Sequence, residues 1–169
     1  MNEYFIPMAD EIFSFLLIFL PLIFGVFHAS FKGKNISETL LLYYIFIGVG
    51  LQALASGIAQ TFFSNSVFQY VRWPFSPFML ELGLANISYG ILGFLSPWME
   101  KGWKKATAFG YALFLLFTGT RHALEIFNSG VNSGNSGAFA YVDYIMSAIL
   151  FFLLTLCYNR KPLEKSRIP

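Results

Sequence analysis

Charge is scarce in this chain and cysteine nearly absent. Charged residues make up 12% of its 169 positions, about half of the roughly 25% usual in a soluble domain. There is too little ionic side chain here to coat a water-facing surface. The single cysteine, Cys157, excludes an intrachain disulfide and a thiolate metal cluster. Alternating strands of about ten residues are missing, which argues against a transmembrane β-barrel. No Lys or Arg precedes the first apolar run, where Glu3, Asp10 and Glu11 stand instead. That run therefore lacks the basic flank of a secretory signal and reads as retained. A net charge of +2 is too small to point to nucleic acid.

What is abundant is apolar. Hydrophobic residues make up 56% of the chain, 21 residues are Phe, and mean hydropathy is +0.60. Apolar runs of this length predict membrane-crossing helices. The expected fold is all-α, a single bundle of five transmembrane helices with spans at about 11–27, 39–59, 78–97, 106–127 and 138–158. Pro21 falls inside the first span, where proline removes a helical hydrogen bond. His28–Glu38 and Met99–Lys105 read as short polar loops, and Phe63–Pro77 as an interfacial connection that Pro74 and Pro77 keep from being one helix. Asn128–Gly137 repeats Asn-Ser-Gly three times and reads as a loop.

Orientation follows from the basic residues. Lys32, Lys34, Lys101, Lys104, Lys105, Arg160, Lys161, Lys165 and Arg167 share one side, and Arg72 and Arg121 the other. The positive-inside rule then sets the N-terminus outside and the C-terminus in the cytoplasm. Trp73 falls at the outer interface, and Trp98 and Trp103 at the inner one. The expected location is a cell (inner) membrane.

The third span, Phe78–Trp98, carries a carboxylate, Glu81, and an amide, Asn86, in an otherwise apolar run. Gly83, Asn86, Gly90 and Gly93 fall on one narrow face suited to close helix contact. Gln52, Ser56 and Gln60 line one seam of the second span. Thr118, Arg121, His122 and Glu125 share a face of the fourth, and Asp143 opens the fifth with Ser147 one turn on. At 1.5 Å per residue, Glu81 lies roughly 5 Å and His122 and Asp143 roughly 8 Å from the outer helix ends. Ionisable groups inside a membrane cost several kcal/mol unless paired, protonated or hydrated, and mark function by default. The expectation is an outward-facing polar pocket of Glu81, Arg121, His122, Asp143 and Gln60 that binds or passes a small solute, an ion or a lipid headgroup. Arg121 has three candidate partners in Glu81, Asp143 and Glu125.

Two other functions remain open at this point. One is a membrane enzyme in which His122 with Glu81 or Asp143 does acid–base work on a lipid or quinone-like substrate. The other is an accessory subunit of a larger membrane complex, or a homo-oligomer packed through the glycine faces. No cofactor is expected. His28 and His122 lie at different depths and do not suit one haem iron. His122, Glu81 and Asp143 lack metal-binding spacing, and no nucleophile elbow marks a serine. Cys157, near the cytoplasmic end, reads as inert.

The run Arg72-Trp73-Pro74-Phe75-Ser76-Pro77-Phe78, followed by Glu81-Leu82-Gly83-Leu84-Ala85-Asn86 and then Gly90 and Gly93, resembles DUF6790, a family of small bacterial and archaeal membrane proteins of unknown function. His122, the stretch Gly134-Asn135-Ser136-Gly137 and Asp143 extend the resemblance, which covers roughly Arg72 to Leu156. It implies weight for Glu81, Asn86, His122 and Asp143 and implies no activity. Arg121 stands outside the family pattern. The glycine spacing of the third span is also loosely similar to DoxX-like membrane proteins.

Overall fold

The computed structural model describes residues 5–71, 76–129 and 138–158, with side chains for 16–67, 76–128 and 141–158. Among them the regular structure is entirely helical. In chain order the helices are α1 (Phe5–Lys32), α2 (Ile36–Phe62), α3 (Ser64–Val71), α4 (Phe78–Leu95) with a 3₁₀ turn at Ser96–Trp98, α5 (Lys101–Ser129) and α6 (Ala138–Tyr158). The Asn-Ser-Gly repeats from residue 130 on, Arg72, Trp73 and the basic tail from residue 159 lie outside the described residues.

Among the described residues three stretches are long and apolar enough to cross a membrane: Ile36–Phe62, Phe78–Trp98 and Tyr141–Tyr158. The shortest, 18 residues, spans about 27 Å at 1.5 Å per residue, close to the roughly 30 Å of a hydrocarbon core. The described apolar stretch of α1, Leu16–Lys32, is shorter.

Two expected loops are much shorter than the sequence suggested. Between α1 and α2 only Gly33–Asn35 are non-helical, not His28–Glu38. Gly33 sits at φ +58°, the left-handed C-cap position that glycine fills without a Cβ penalty, and the Lys34 amide donates to Ala29 O at 3.1 Å. Asn35 then caps α2, its Oδ1 accepting from the amides of Ser37 at 3.1 Å and Glu38 at 3.3 Å. The polar flanks continue the helices beyond the apolar run because intrahelical bonds satisfy their backbone groups. A Cβ at Gly33 meets nothing within 4 Å, so Gly33→Ala tests the backbone alone. Its expected cost is about 1 kcal/mol, read as a lowered melting midpoint in detergent.

The second correction concerns Met99–Lys105. Only Met99 and Glu100 are non-helical, and α5 already begins at Lys101. Lys101 Nζ pairs with Glu38 Oε1 at 2.7 Å. Trp103 Nε1 donates to Leu92 O at 3.2 Å. These contacts hold the first turn of α5 against the ends of α2 and α4.

Helix α2 is the central rod. Its second half packs antiparallel on α4, its first half on α1 and α6, and α5 and α6 pair antiparallel with each other. The contact with α4 is backbone to backbone. A Cβ on Gly93 would lie 2.5 Å from Gly50 N, and one on Gly57 would lie 2.7 Å from Gly83 O. In the middle of α2, Tyr44–Leu51 winds as a π-helix, a form that occurs mostly as short interruptions of α-helices. Tyr44 donates its hydroxyl to Ile18 O of α1 at 2.8 Å, one residue from Leu17, whose carbonyl loses its helical partner because Pro21 has no N–H.

The buried core is a stripe from each of three helices. Leu41, Ile45, Val49 and Ala53 come from α2, Ala108, Tyr111, Ala112 and Leu115 from α5, and Met146, Leu150, Leu153 and Cys157 from α6. The spacing of three or four residues in each stripe is helical. Facing outward are large apolar side chains, including Phe19, Ile23, Leu51, Leu84, Phe117 and Phe152. An outer surface this apolar suits lipid, not water.

Candidate functional site

The pairing of α5 with α6 sets polar groups on facing turns. Thr118 Oγ1 lies 3.0 Å from Asp143 Oδ2 and 3.1 Å from Leu115 O, so its one proton serves two acceptors. One turn along α6, the buried Ser147 hydroxyl donates to Ala112 O at 2.8 Å. Toward the other end, Tyr144 donates to Thr120 Oγ1 at 3.2 Å. Deeper in, Tyr111 is 1% exposed and donates to Gln52 Oε1 of α2 at 2.9 Å. The ring of Tyr89 from α4 meets Tyr111 edge-on at 5.2 Å.

These bonds form a polar ladder along the α5–α6 seam, exposed at Thr120, half-buried at Thr118 and Asp143, and buried at Ser147 and Tyr111. Along α5 it runs from Thr120 to Tyr111, roughly 14 Å at 1.5 Å per residue. Beyond Tyr111 the packed side chains are mainly apolar, with Ala108, Leu150 and Leu153 beside the buried hydroxyl of Thr107. The ladder therefore enters from the Asn128 end of α5 and stops near the middle.

The charged member of the ladder is Asp143. Among the described residues its carboxylate meets the neutral hydroxyl of Thr118 and forms no ion pair. A half-buried carboxylate facing one hydroxyl retains part of its desolvation penalty. A proton or a bound cation removes that penalty.

The other expected site residues are spread out. Arg121 Nη1 pairs with Glu125 Oε2 at 3.0 Å along its own helix, with the Arg121 side chain 66% exposed. Such a pair contributes at most about 1 kcal/mol. Of its three candidate partners, Glu125 is the one this geometry supplies. Gln60 Oε1 accepts from Asn86 Nδ2 at 2.8 Å, which sets Gln60 in the contact between α2 and α4. Asn86, Gly83, Gly90 and Gly93 are all buried in that contact.

Glu81 is exposed in the first turn of α4, where a helix N-terminus favours a negative side chain. His122 is partly buried one turn beyond Thr118 on the same face of α5. Among the described residues no three His, Cys, Asp or Glu side chains converge. Thr118 and Asp143 are brought together, whereas Glu81, Arg121 and Gln60 are each engaged or exposed elsewhere.

Tyr111, Thr120 and Tyr144 are ladder members that sequence reasoning missed. The available signal was Gln52, which opens the polar seam of α2 and is the partner of Tyr111.

Described residues whose regular structure is all helical, with three apolar stretches of membrane-spanning length among them and large apolar side chains facing outward, define a helical membrane protein. The family model described as a family of unknown function, DUF6790, matches residues 11–163, and the chain belongs to that family. No curated protein and no solved structure matches it.

Proposed function

We propose that this protein is a multi-pass inner-membrane protein of five transmembrane segments, with its N-terminus outside and its C-terminus cytoplasmic. In this reading it binds a small cation, the proton included, at Asp143. Helices α1 and α5 supply the two spans beyond the three apolar stretches. The distribution of Lys and Arg supports the orientation, under which the Asp143 end of the ladder faces outward. The observation that carries the reading is the carboxylate of Asp143 held by Thr118 with no cationic partner among the described residues. Arg121, three residues beyond Thr118 on α5, is engaged by Glu125. The mainly apolar layer of Ala108, Leu150 and Leu153 below Tyr111 supports binding from one side.

The test is thermal. Purified protein is melted in lithium, sodium, potassium and choline chlorides across a pH series, alongside Asp143→Asn. A ligand at about one hundred times its Kd stabilises by about 2.7 kcal/mol. Wild type is expected to gain a stabilisation that depends on pH or on the identity of the cation, and Asp143→Asn to lack it. Identical responses in the two proteins would sink the cation site.

A further inference from the structure

The chain has a second concentration of polar side chains, at the opposite end from Asp143. A cavity of about 240 Å³ opens where the α1–α2 turn meets the start of α5, and Lys34, Lys101, Lys104, Lys105, His28 and Asn35 line it. Glu38 is the acidic residue in its wall, and Lys101 neutralises it at 2.7 Å. Lys34, Lys104 and Lys105 are then cations with no ion-pair partner among the described residues. Their charges sit around one concavity, which suits an anion of more than one charge or an anionic group held by several donors.

Lys105 also borders a second, larger cavity of about 510 Å³ on the outer face of the α5–α6 pair. That groove is apolar, walled by Ala106, Phe109, Phe151, Leu154 and Tyr158. The ammonium of Lys105 stands 5.8 Å from the centre of the Tyr158 ring, at the junction of the two cavities. Trp98 and Trp103 lie at the same end of the bundle, and Trp98 is 69% exposed. Tryptophan at this position marks the headgroup level of a bilayer.

We infer that this end of the bundle is a binding site for an anionic phospholipid, its phosphate among Lys34, Lys104 and Lys105 and an acyl chain along the groove walled by Ala106, Leu154 and the touching rings of Phe109 and Phe151. Two features fix the class. The basic cavity demands an anion at headgroup depth, and a groove of hydrocarbon character continues from the same lysine. A free phosphate uses only the first feature, and a zwitterionic lipid leaves the excess positive charge unmatched. Basic recesses between membrane helices take lipid headgroups of this kind by the same electrostatics. The site shares no residue with the Asp143 ladder.

The experiment uses the full-length protein, delipidated in detergent, with binding read by native mass spectrometry. The probes are dioleoyl-phosphatidylglycerol, dioleoyl-phosphatidylcholine and inorganic phosphate. The variants are Lys104→Gln with Lys105→Gln, Ala106→Trp to fill the groove, and Lys32→Gln as a basic residue outside the cavity wall. Circular dichroism and the melting midpoint confirm that each variant is folded. Wild type is expected to retain the phosphatidylglycerol in preference to the other two probes. Each lysine near a headgroup is worth about fivefold in affinity, so the double variant is expected to weaken retention about 25-fold. Ala106→Trp is expected to weaken the lipid and leave phosphate unchanged, and Lys32→Gln to have a much smaller effect than the double variant. Unchanged lipid retention in the double variant overturns the site. Phosphate binding as tight as the lipid, together with no effect of Ala106→Trp, overturns the lipid assignment and leaves a free-phosphate cavity.

Discussion

Gly93→Leu is expected to break the α2–α4 contact and with it the fold. A Cβ alone at position 93 would lie 2.5 Å from Gly50 N, 2.8 Å from Gly50 Cα and 2.9 Å from Ile45 O. All three are backbone atoms, and none can turn aside as a side-chain tip can. The helices must separate, which unpacks Gly57 from Gly83 and Gly90 from Leu54 and strains the Asn86–Gln60 bond. Overpacking a core costs about 1–3 kcal/mol, so Gly93→Ala is expected near the top of that range and Gly93→Leu beyond it. Two other glycines calibrate the result. A Cβ at Gly48 meets mainly the flexible tip of Met146, and at Gly102 it meets nothing within 4 Å. Gly48→Ala is expected to be mild. Gly102→Ala is expected to stabilise by up to about 1 kcal/mol through the higher helix propensity of alanine. Melting midpoints of the four variants in one detergent check the order.

The second large effect is expected at Thr118. Thr118→Val keeps the shape of the side chain and removes the hydroxyl that faces Asp143 at 3.0 Å. Leaving a buried polar partner unsatisfied costs about 1–3 kcal/mol, more when it is charged, whereas replacing both partners by apolar groups is close to neutral. The pair is half-buried, so Thr118→Val is expected to destabilise by about 1–2 kcal/mol. Adding Asp143→Leu is expected to restore most of that loss. The restored double variant is also expected to show no cation or pH response. A pair that the bundle tolerates losing in stability, but not in that response, serves binding. Full additivity of the two substitutions would mean that they are not coupled.

The elements differ in how much of this the sequence carries. Spacing alone exposes the glycine face of Phe78–Trp98, because i, i+7 and i+10 coincide on a helix. The same arithmetic gives the Arg121–Glu125 pair, a contact within one helix at i, i+4. What spacing cannot give is register between helices. Thr118 meets Asp143 only because α5 and α6 pair antiparallel at that offset, and Gln60 meets Asn86 only through the offset of α2 on α4. Depth is likewise a poor guide to lateral position. Glu81 lies near one end of its helix, as counted, and is exposed in its first turn. The two shortened turns have a local cause. Gly33 and Asn35 are a C-cap and an N-cap three residues from each other's helices, a stop-and-start signal that outweighs the polar composition of His28–Glu38. The basic cavity was hidden for the opposite reason. Lys34, Lys101, Lys104 and Lys105 read as interfacial charge, and only the fold closes them around one space.

The most direct measurement is an infrared difference spectrum of the protein in lipid, taken between mildly acidic and mildly alkaline pH and with and without added cation, for wild type and Asp143→Asn. The expected result is a carboxyl C=O band that appears or disappears with the change of medium in wild type and is missing from Asp143→Asn. A spectrum in which the two proteins respond identically would contradict an exchangeable proton or cation at Asp143.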